Sequence, residues 1–181
     1  MKTELSNDFI KIRRYRMEDV ELLYEAAIES QKVMYEWMPW CHPDYSIEES
    51  KTFISDCIKC WEEKTRFAFA VFDKKTGLYL GGVGLNQFNT QHNFANLGYW
   101  IRSSQTGRGV ATVATLLAAE FGFSDLGLSR VEIVIATGNT ASLRVAEKAG
   151  AVKEGILRNR LILHNHSYDA YMYSLIAGKK N

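Results

Sequence analysis

The stretch Thr106-Gly107-Arg108-Gly109-Val110-Ala111-Thr112 holds the residues of this chain best suited to chemistry. It follows a strand pattern, Phe94 to Arg102, and opens an apolar, proline-free run from Gly109 to Phe123 that reads as a helix buried on several sides. The first turn of any helix leaves backbone N–H groups without intrahelical partners, and its dipole suits an anion. Gly107 and Gly109 let the backbone approach such an anion without a Cβ in the way, Ala111 keeps the first turn small, and Arg108 offers a charge-assisted contact. The spacing therefore predicts a phosphate or pyrophosphate site between Thr106 and Thr112. A plain strand-to-helix turn that binds nothing is the alternative. A nucleotide-triphosphate loop is excluded, because Val110-Ala111 stands where Lys and Ser or Thr are needed. A dinucleotide fingerprint lacks its third glycine.

Asn139 to Ser142 is the second place. Asn139 can cap a helix that runs to Lys148 and stops at Gly150, and Ser142 lies in its first turn, where the dipole favours negative charge. Its hydroxyl either meets an anion or serves as a further cap. Tyr35, Trp37 and Trp40 cluster around Pro39, as a pocket wall or as a packed cap over the first two helices. Cys57 and Cys60 have metal spacing, with Cys41 and His42 upstream, but the pair falls inside an amphipathic helix and Cys41 and His42 are adjacent; packing is expected and a metal is not. His164-Asn165-His166 reads as a hairpin loop, and Glu48, Glu49, Glu62 and Glu63 as solvated helix faces.

These segments need a scaffold. A strand is expected over Phe9 to Arg14 and a helix over Asp19 to Glu29. A second helix opens at Ser46, with Glu49 at capping-box spacing. Strands follow over Arg66 to Phe72 and Leu78 to Leu85, joined by the turn Asp73 to Gly77; Gly81, Gly82 and Gly84 suggest a bulge or a close ligand. After the Phe94 strand and the glycine-led helix come a strand over Val131 to Ala136, the Asn139 helix, and strands near Ala151 to Asn159 and Tyr168 to Ile176. The order β-α-α-β-β-β-α-β-α-β-β predicts an α/β domain with a mixed, mostly antiparallel sheet flanked by helices, in a single domain over residues 1–181 with its core at about 9–176.

Composition limits what this scaffold can serve. The chain has 181 residues, 46% of them hydrophobic, which is one domain's worth. With 22 basic and 21 acidic residues the net charge is +1, which gives no electrostatic case for nucleic acid. No apolar run is long enough to cross a bilayer, and the start carries no apolar signal core. Three cysteines fit a reducing cytoplasm better than a disulfide framework.

Gly107-Arg-Gly109-Val-Ala111 and the helix after it resemble the acetyl-CoA loop of GNAT-superfamily N-acetyltransferases. Asn139-Thr-Ala-Ser142-Leu-Arg-Val-Ala146-Glu-Lys-Ala-Gly150 with Glu154-Gly155 resembles the family's last core helix and the strand after it, and Asn96-Leu-Gly-Tyr99-Trp100-Ile101 the strand leading into the loop. Ile12-Arg13, Trp37-Met-Pro39-Trp40 and Tyr168-Asp-Ala-Tyr171-Met-Tyr173 are similar to the RimJ/RimL-like branch, which acetylates N-termini of ribosomal proteins. The resemblance spans Phe9 to Ile176.

The resemblance implies acetyl transfer from acetyl-CoA to a primary amine by direct attack in a ternary complex, with a protein or peptide N-terminus as first acceptor. A small amine (polyamine, antibiotic or amino acid derivative) is the alternative, and so is a catalytically weak acyl-CoA-binding sensor. Trp100, Ile101 and Arg102 would hold the pantetheine arm, Thr106 to Thr112 the pyrophosphate, and Ser142 the departing thiolate, while Asn139 would contact the CoA arm or serve only as an N-cap. Tyr35, Trp37, Trp40 and Asn96 would border the acceptor. Family members often carry a glutamate base at two positions that are Asn96 and Leu161 here, a tyrosine at the place of Ala146, and Gln or Arg at the place of Thr106. The resemblance leaves room for a homodimer and implies no metal.

Overall fold

The computed structural model describes residues 1–178. In chain order its elements are β1 (Glu4–Ser6), β2 (Ile10–Arg14), α1 (Val20–Met34), α2 (Ile47–Glu62), β3 (Phe67–Asp73), β4 (Tyr79–Asn89), β5 (Phe94–Ile101), α3 (Val110–Ser124), β6 (Arg130–Ala136), α4 (Thr140–Lys148), β7 (Val152–Leu163) and β8 (His166–Ile176). From β2 onward this is the expected order. β1 is an addition: three residues are too short a run to read as a strand, and it exists because Leu5 pairs with Ile12 and buries its side chain. Residues 179–181 of the expected domain lie outside the described residues.

The strands form one sheet in the order β1-β2-β3-β4-β5-β6-β8-β7. Every neighbouring pair is antiparallel except β5 and β6, which are parallel and joined by the α3 crossover. One face of the sheet presents Phe69, Val83, Leu97 and Val131 to α3, whose Ala114, Ala118 and Phe121 are fully buried. The ring of Trp61, at the end of α2, stands 4.9 Å from Phe69 and 5.8 Å from Phe121, within the range where aromatic pairs attract beyond their area alone. On the other face, Ala68, Ala70 and Phe72 meet Leu23 and Ala26 of α1 and Ile54 and Cys57 of α2. Cys57 is thus a packing residue, and Cys60 on the same helix is half-buried.

Local chemistry sets the element ends. Ser46 accepts from the Glu49 N–H while the Glu49 carboxylate takes the Ser46 N–H, so the expected capping box closes. Glu49 also meets His42, Glu62 pairs with Arg14, and Glu48 and Glu63 pair with Lys51 and Lys59 of their own helix region, so all four glutamates read as solvated have protein partners at the surface. α1 runs to Met34 rather than ending at Glu29, since Ser30 turns its hydroxyl back to the Ala26 carbonyl at 2.7 Å and stays buried. β7 and β8 run beyond the expected ends and meet at the turn His164-Asn165, both residues at positive φ, as a type I′ hairpin requires. β7 is exposed along nearly its whole length, so it shows no alternation to read.

Two irregularities open the sheet where chemistry is expected. The β3–β4 register shifts between Val71 and Phe72, the bulge foreseen from the glycines. A Cβ at Gly81 (φ +147°) would come within 2.2 Å of the Trp100 carbonyl oxygen, so the close neighbour there is the protein's own β5. β5 and β6, moreover, pair only from Phe94–Arg130 to Asn96–Glu132. β5 continues to Ile101 and β6 to Ala136, so beyond Asn96 the two strands part and one backbone edge of β5 is left without a β6 partner.

Candidate active site

The gap between β5 and β6 becomes a cavity of about 370 Å³. Tyr99, Trp100 and Ile101 form its strand edge; Thr106, Gly107, Gly109, Val110, Ala111 and Thr112 its loop and helix end; Asn139 and Ser142 its far side. The structure therefore brings together ten of the twelve residues assigned by sequence to the cofactor and the thiolate.

Gly109 is the N-cap of α3 at φ +81°, and Gly107 lies at φ +75°. Both are left-handed, a conformation that costs a residue with a Cβ, so the glycines are required by backbone geometry. A Cβ at either would meet nothing within 4 Å, so the cradle beside them is open. No side chain caps α3, which leaves its first N–H groups facing that space. The charge of this end is reinforced from α4, whose Arg144 and Lys148 line the cavity. Sequence reading missed both; their spacing of four places them on one helix face with Ala141, and that periodicity was the available signal.

Asn139 accepts the Ser142 N–H at 3.1 Å and so caps α4. The Ser142 hydroxyl is left without a hydrogen bond among the described residues. Tyr99 donates to the Ser142 carbonyl at 3.0 Å, and burial pushes that phenol up to about 12, so it stays a donor at neutral pH.

Two of the assigned residues stand outside the cavity lining. Arg102 does not line the cavity. Its side chain is buried, bonded to Glu29, within 3.6 Å of Glu25 and 3.2 Å from the Tyr79 carbonyl, and it ties the end of β5 to α1. Arg108 stays exposed and bonds Gln105 at the loop's rim. Sequence could not separate these arginines, because the partner that claims Arg102 lies 73 residues away. The Arg102 hydrogen bond holds the Glu29 carboxyl down to about 2. Its folded value is thus below its unfolded one, so the pair's contribution is present above about pH 4.5 and is lost as pH falls through about 2. We expect Glu29→Gln to cost about 1–2 kcal/mol at pH 7, Glu29 being partly exposed. In urea titrations the gap from the parent should close as pH is lowered from 5 towards 2; a gap independent of pH would place the cost elsewhere.

The aromatic residues divide. Trp37 leans on Gly138, where an added Cβ would lie 3.0 Å from the indole, and it lines the cavity beside Met38. Trp40 stands 5.6 Å from the Trp100 ring and borders a second groove of about 310 Å³. That groove shares Trp37, Met38, Tyr99 and Trp100 with the cofactor cavity, so the two meet at these residues. Tyr35 lines neither; its ring packs 4.4 Å from that of His164, and its carbonyl accepts from the His164 Nε2 at 2.8 Å, so the hairpin turn braces the aromatic loop. Asn96 donates to Asn86 at 3.0 Å. Leu161 lies on β7 opposite Tyr168. Glu132, opposite Asn96, is paired to Arg130 at 2.8 Å.

Comparison with known proteins gives the same architecture. The "Putative ribosomal N-acetyltransferase YdaF" of Bacillus subtilis (strain 168) is 29% identical over 172 residues, covering 94% of this chain and 92% of its own. The structure described as a "putative ribosomal-protein-serine acetyltransferase from Vibrio cholerae" superposes with a TM-score of 0.85 at 28% identity, over 97% of this chain and 99% of that one. The microcin C7 self-immunity acetyltransferase MccE, solved with acetyl-CoA and AMP, shares the fold at a TM-score of 0.86 and 24% identity, over 94% and 93% of the two chains. The sequence model described as "Acetyltransferase (GNAT) domain" matches residues 10–152. A loop with two left-handed glycines, set against a parted strand edge, is therefore found in a chain that belongs to the GNAT family and is an acetyl-CoA-dependent N-acetyltransferase.

Proposed function

We propose that this protein acetylates the α-amine of a protein or peptide N-terminus. The observation that carries the reading is the meeting of the two cavities at Trp37, Met38, Tyr99 and Trp100, which joins a cofactor slot to an open groove. Acetyl-CoA supplies the activated acetyl group. The uncapped amides of the Thr106–Thr112 loop bind its pyrophosphate, with Arg144 and Lys148 as the nearby cations and Arg108 at the rim. The free edge of β5 at Tyr99 to Ile101 binds the pantetheine arm by backbone hydrogen bonds, and Asn139 closes the other side.

The acceptor nitrogen attacks the thioester carbon, a C–N bond forms and the C–S bond breaks. The Ser142 hydroxyl, free of other partners, donates to the departing sulfur. The amine's own proton leaves to water. No carboxylate stands at position 96 or 161 to take it, and the Glu132 carboxylate is held by Arg130. An α-amine, at about 7.7–8.0, is partly neutral at pH 7, whereas a lysine amine at about 10.4 is not. The missing base thus favours an α-amine. A ribosomal-protein acceptor is supported by the names of the relatives from Bacillus subtilis and Vibrio cholerae, and the cytoplasm follows from such an acceptor. A small amine remains the second reading, favoured by the MccE complex with AMP.

Thermal unfolding with acetyl-CoA, ATP or NAD checks the cofactor site. At about 100 times Kd a ligand adds about 2.7 kcal/mol, so Tm should rise by several degrees with acetyl-CoA alone. An equal rise with ATP would remove the specific assignment of the loop. Thiol release on adding matched N-terminal peptides and free amines then ranks the acceptors.

A further inference from the structure

We propose that Arg66 is an anion-recognition residue of the acceptor groove, and that the preferred acceptor carries a carboxylate or phosphate beside its reactive amine. The inference rests on the groove of about 310 Å³ being where the acceptor binds.

Arg66 stands directly before β3, one residue beyond the Phe67–Leu85 pair, which sets it beside Asn86 at the groove's end. Among the residues that line the groove it is the one charged side chain. Three other arginines are committed, Arg102 to Glu29, Arg13 to Asp19 and Arg14 to Glu62, and Arg144 lines the cofactor cavity rather than this groove. Arg66 has no ion pair or side-chain hydrogen bond among the described residues, and its Nε is buried with no partner. Its one contact of note is with Phe53, whose ring centroid lies 5.5 Å from the guanidinium carbon. An aromatic neighbour of this kind holds a guanidinium by its face and leaves its edge, with paired N–H donors, for a planar oxyanion.

The surroundings fit such a guest. Ala68, Gly84 and Gly98 lie side by side across β3, β4 and β5 and make a floor of small residues, and a Cβ at Gly98 would meet only open space. At the end of that floor, Asn96 donates to the Asn86 Oδ1, which leaves the Asn86 NH2 as a second donor next to Arg66. A buried donor left unmet costs free energy, so a groove that keeps one is built for a ligand that meets it. The same lone cation repels an acceptor that brings positive charge alone, which counts against polyamines. An acidic side chain early in a protein N-terminus and the free carboxylate of a small amino compound supply the same chemistry.

The test uses matched acceptors that differ in one group. Ser-Asp-Ala-amide is compared with Ser-Asn-Ala-amide, and alanine with alaninamide and with 1-aminoethylphosphonate, in acetyl transfer by the full chain and by Arg66→Met and Arg66→Lys. Met keeps the apolar stem over Phe53 and removes the charge. For the parent, kcat/KM should favour at least one anionic acceptor over its neutral partner by roughly 10–100-fold, the difference residing mostly in KM. Arg66→Met should bring that ratio close to one and Arg66→Lys should restore part of it, while acetyl-CoA still raises Tm in both variants. Preference in the peptide pair alone assigns a protein-borne carboxylate; preference in the alanine set assigns a small amino acid or its phosphonate counterpart. A ratio near one in the parent, or a ratio that Arg66→Met leaves unchanged, would overturn the proposal. If no acceptor is turned over, calorimetric titration of the acetyl-CoA-saturated protein with the same compounds reads the groove by itself. Tighter anionic binding lost in Arg66→Met would then uphold Arg66 as the groove's anion-recognition residue and reject only the amines tried, and equal binding would overturn the proposal.

Discussion

Gly109→Asp is expected to lower acetyl-CoA affinity by about a thousandfold or more while leaving the protein folded. The two effects separate because they act on the same amides in opposite senses. Gly109 is the N-cap of α3, and no side chain occupies the cap. Aspartate is a favoured N-cap residue, and its carboxylate can accept from the first-turn N–H groups. In the free protein this gain offsets much of the cost of holding a non-glycine residue at φ +81°. In the complex it is ruinous. The carboxylate occupies the donors that the pyrophosphate needs, and two unit charges about 4 Å apart repel by about 4 kcal/mol at an effective dielectric near 20. Gly109→Ala is the control: it keeps the backbone penalty, adds no charge and enters open space, so it should lose much less affinity. Calorimetric titration with acetyl-CoA beside a thermal melt decides the matter. Equal affinity of parent and Gly109→Asp would return this loop to a plain strand-to-helix turn.

The contrast between these glycines and the arginines around them shows what a sequence can disclose. Left-handed glycines, the Ser46–Glu49 capping box, the Asn139 cap and the stop at Gly150 (φ +78°) are local events, settled within a few residues, and each stands where the sequence puts it. The antiparallel run β3 to β5 and the single parallel crossover are local too, since each follows from one turn or one helix. What stayed hidden depends on distant partners. Arg102 looks like a cofactor residue until Glu29 is brought against it, and Arg66 looks like a strand-start arginine until the fold buries its Nε with no acceptor beside it. Trp37 and Tyr35, two residues apart, go to different places because Gly138 and His164, on separate elements, receive them. β1 was invisible because it is made by pairing rather than by pattern, and the outer halves of β7 and β8 because both faces of β7 meet solvent.

Ser142→Ala is the second large effect, and it bears on the chemistry alone. The sequence leaves two roles for this hydroxyl, a partner for the leaving sulfur or a helix cap. The cap is filled from Asn139, whose Oδ1 accepts the Ser142 N–H at 3.1 Å, so deleting the hydroxyl removes no helix bond. We therefore expect an unchanged Tm, an acetyl-CoA KM within about twofold of the parent, and kcat lower by roughly 10–100-fold. That is the low end for a positioned proton donor, because a thiol near 8.5 is already a fair leaving group. Asn139→Ala should behave in the opposite way, losing about 1 kcal/mol of stability with the cap. Tyr99 gives a further distinction. Its hydroxyl donates to the Ser142 carbonyl and pins the first turn of α4 against β5, so Tyr99→Phe would let that turn drift and act through Ser142. If so, adding Tyr99→Phe to Ser142→Ala should cost much less in kcat than Tyr99→Phe costs in the parent, since residues that act as a unit are not additive. A Ser142→Ala enzyme with full kcat would mean that sulfur departs without help from α4, and the α4 N-terminus would then serve to bind the cofactor and no more.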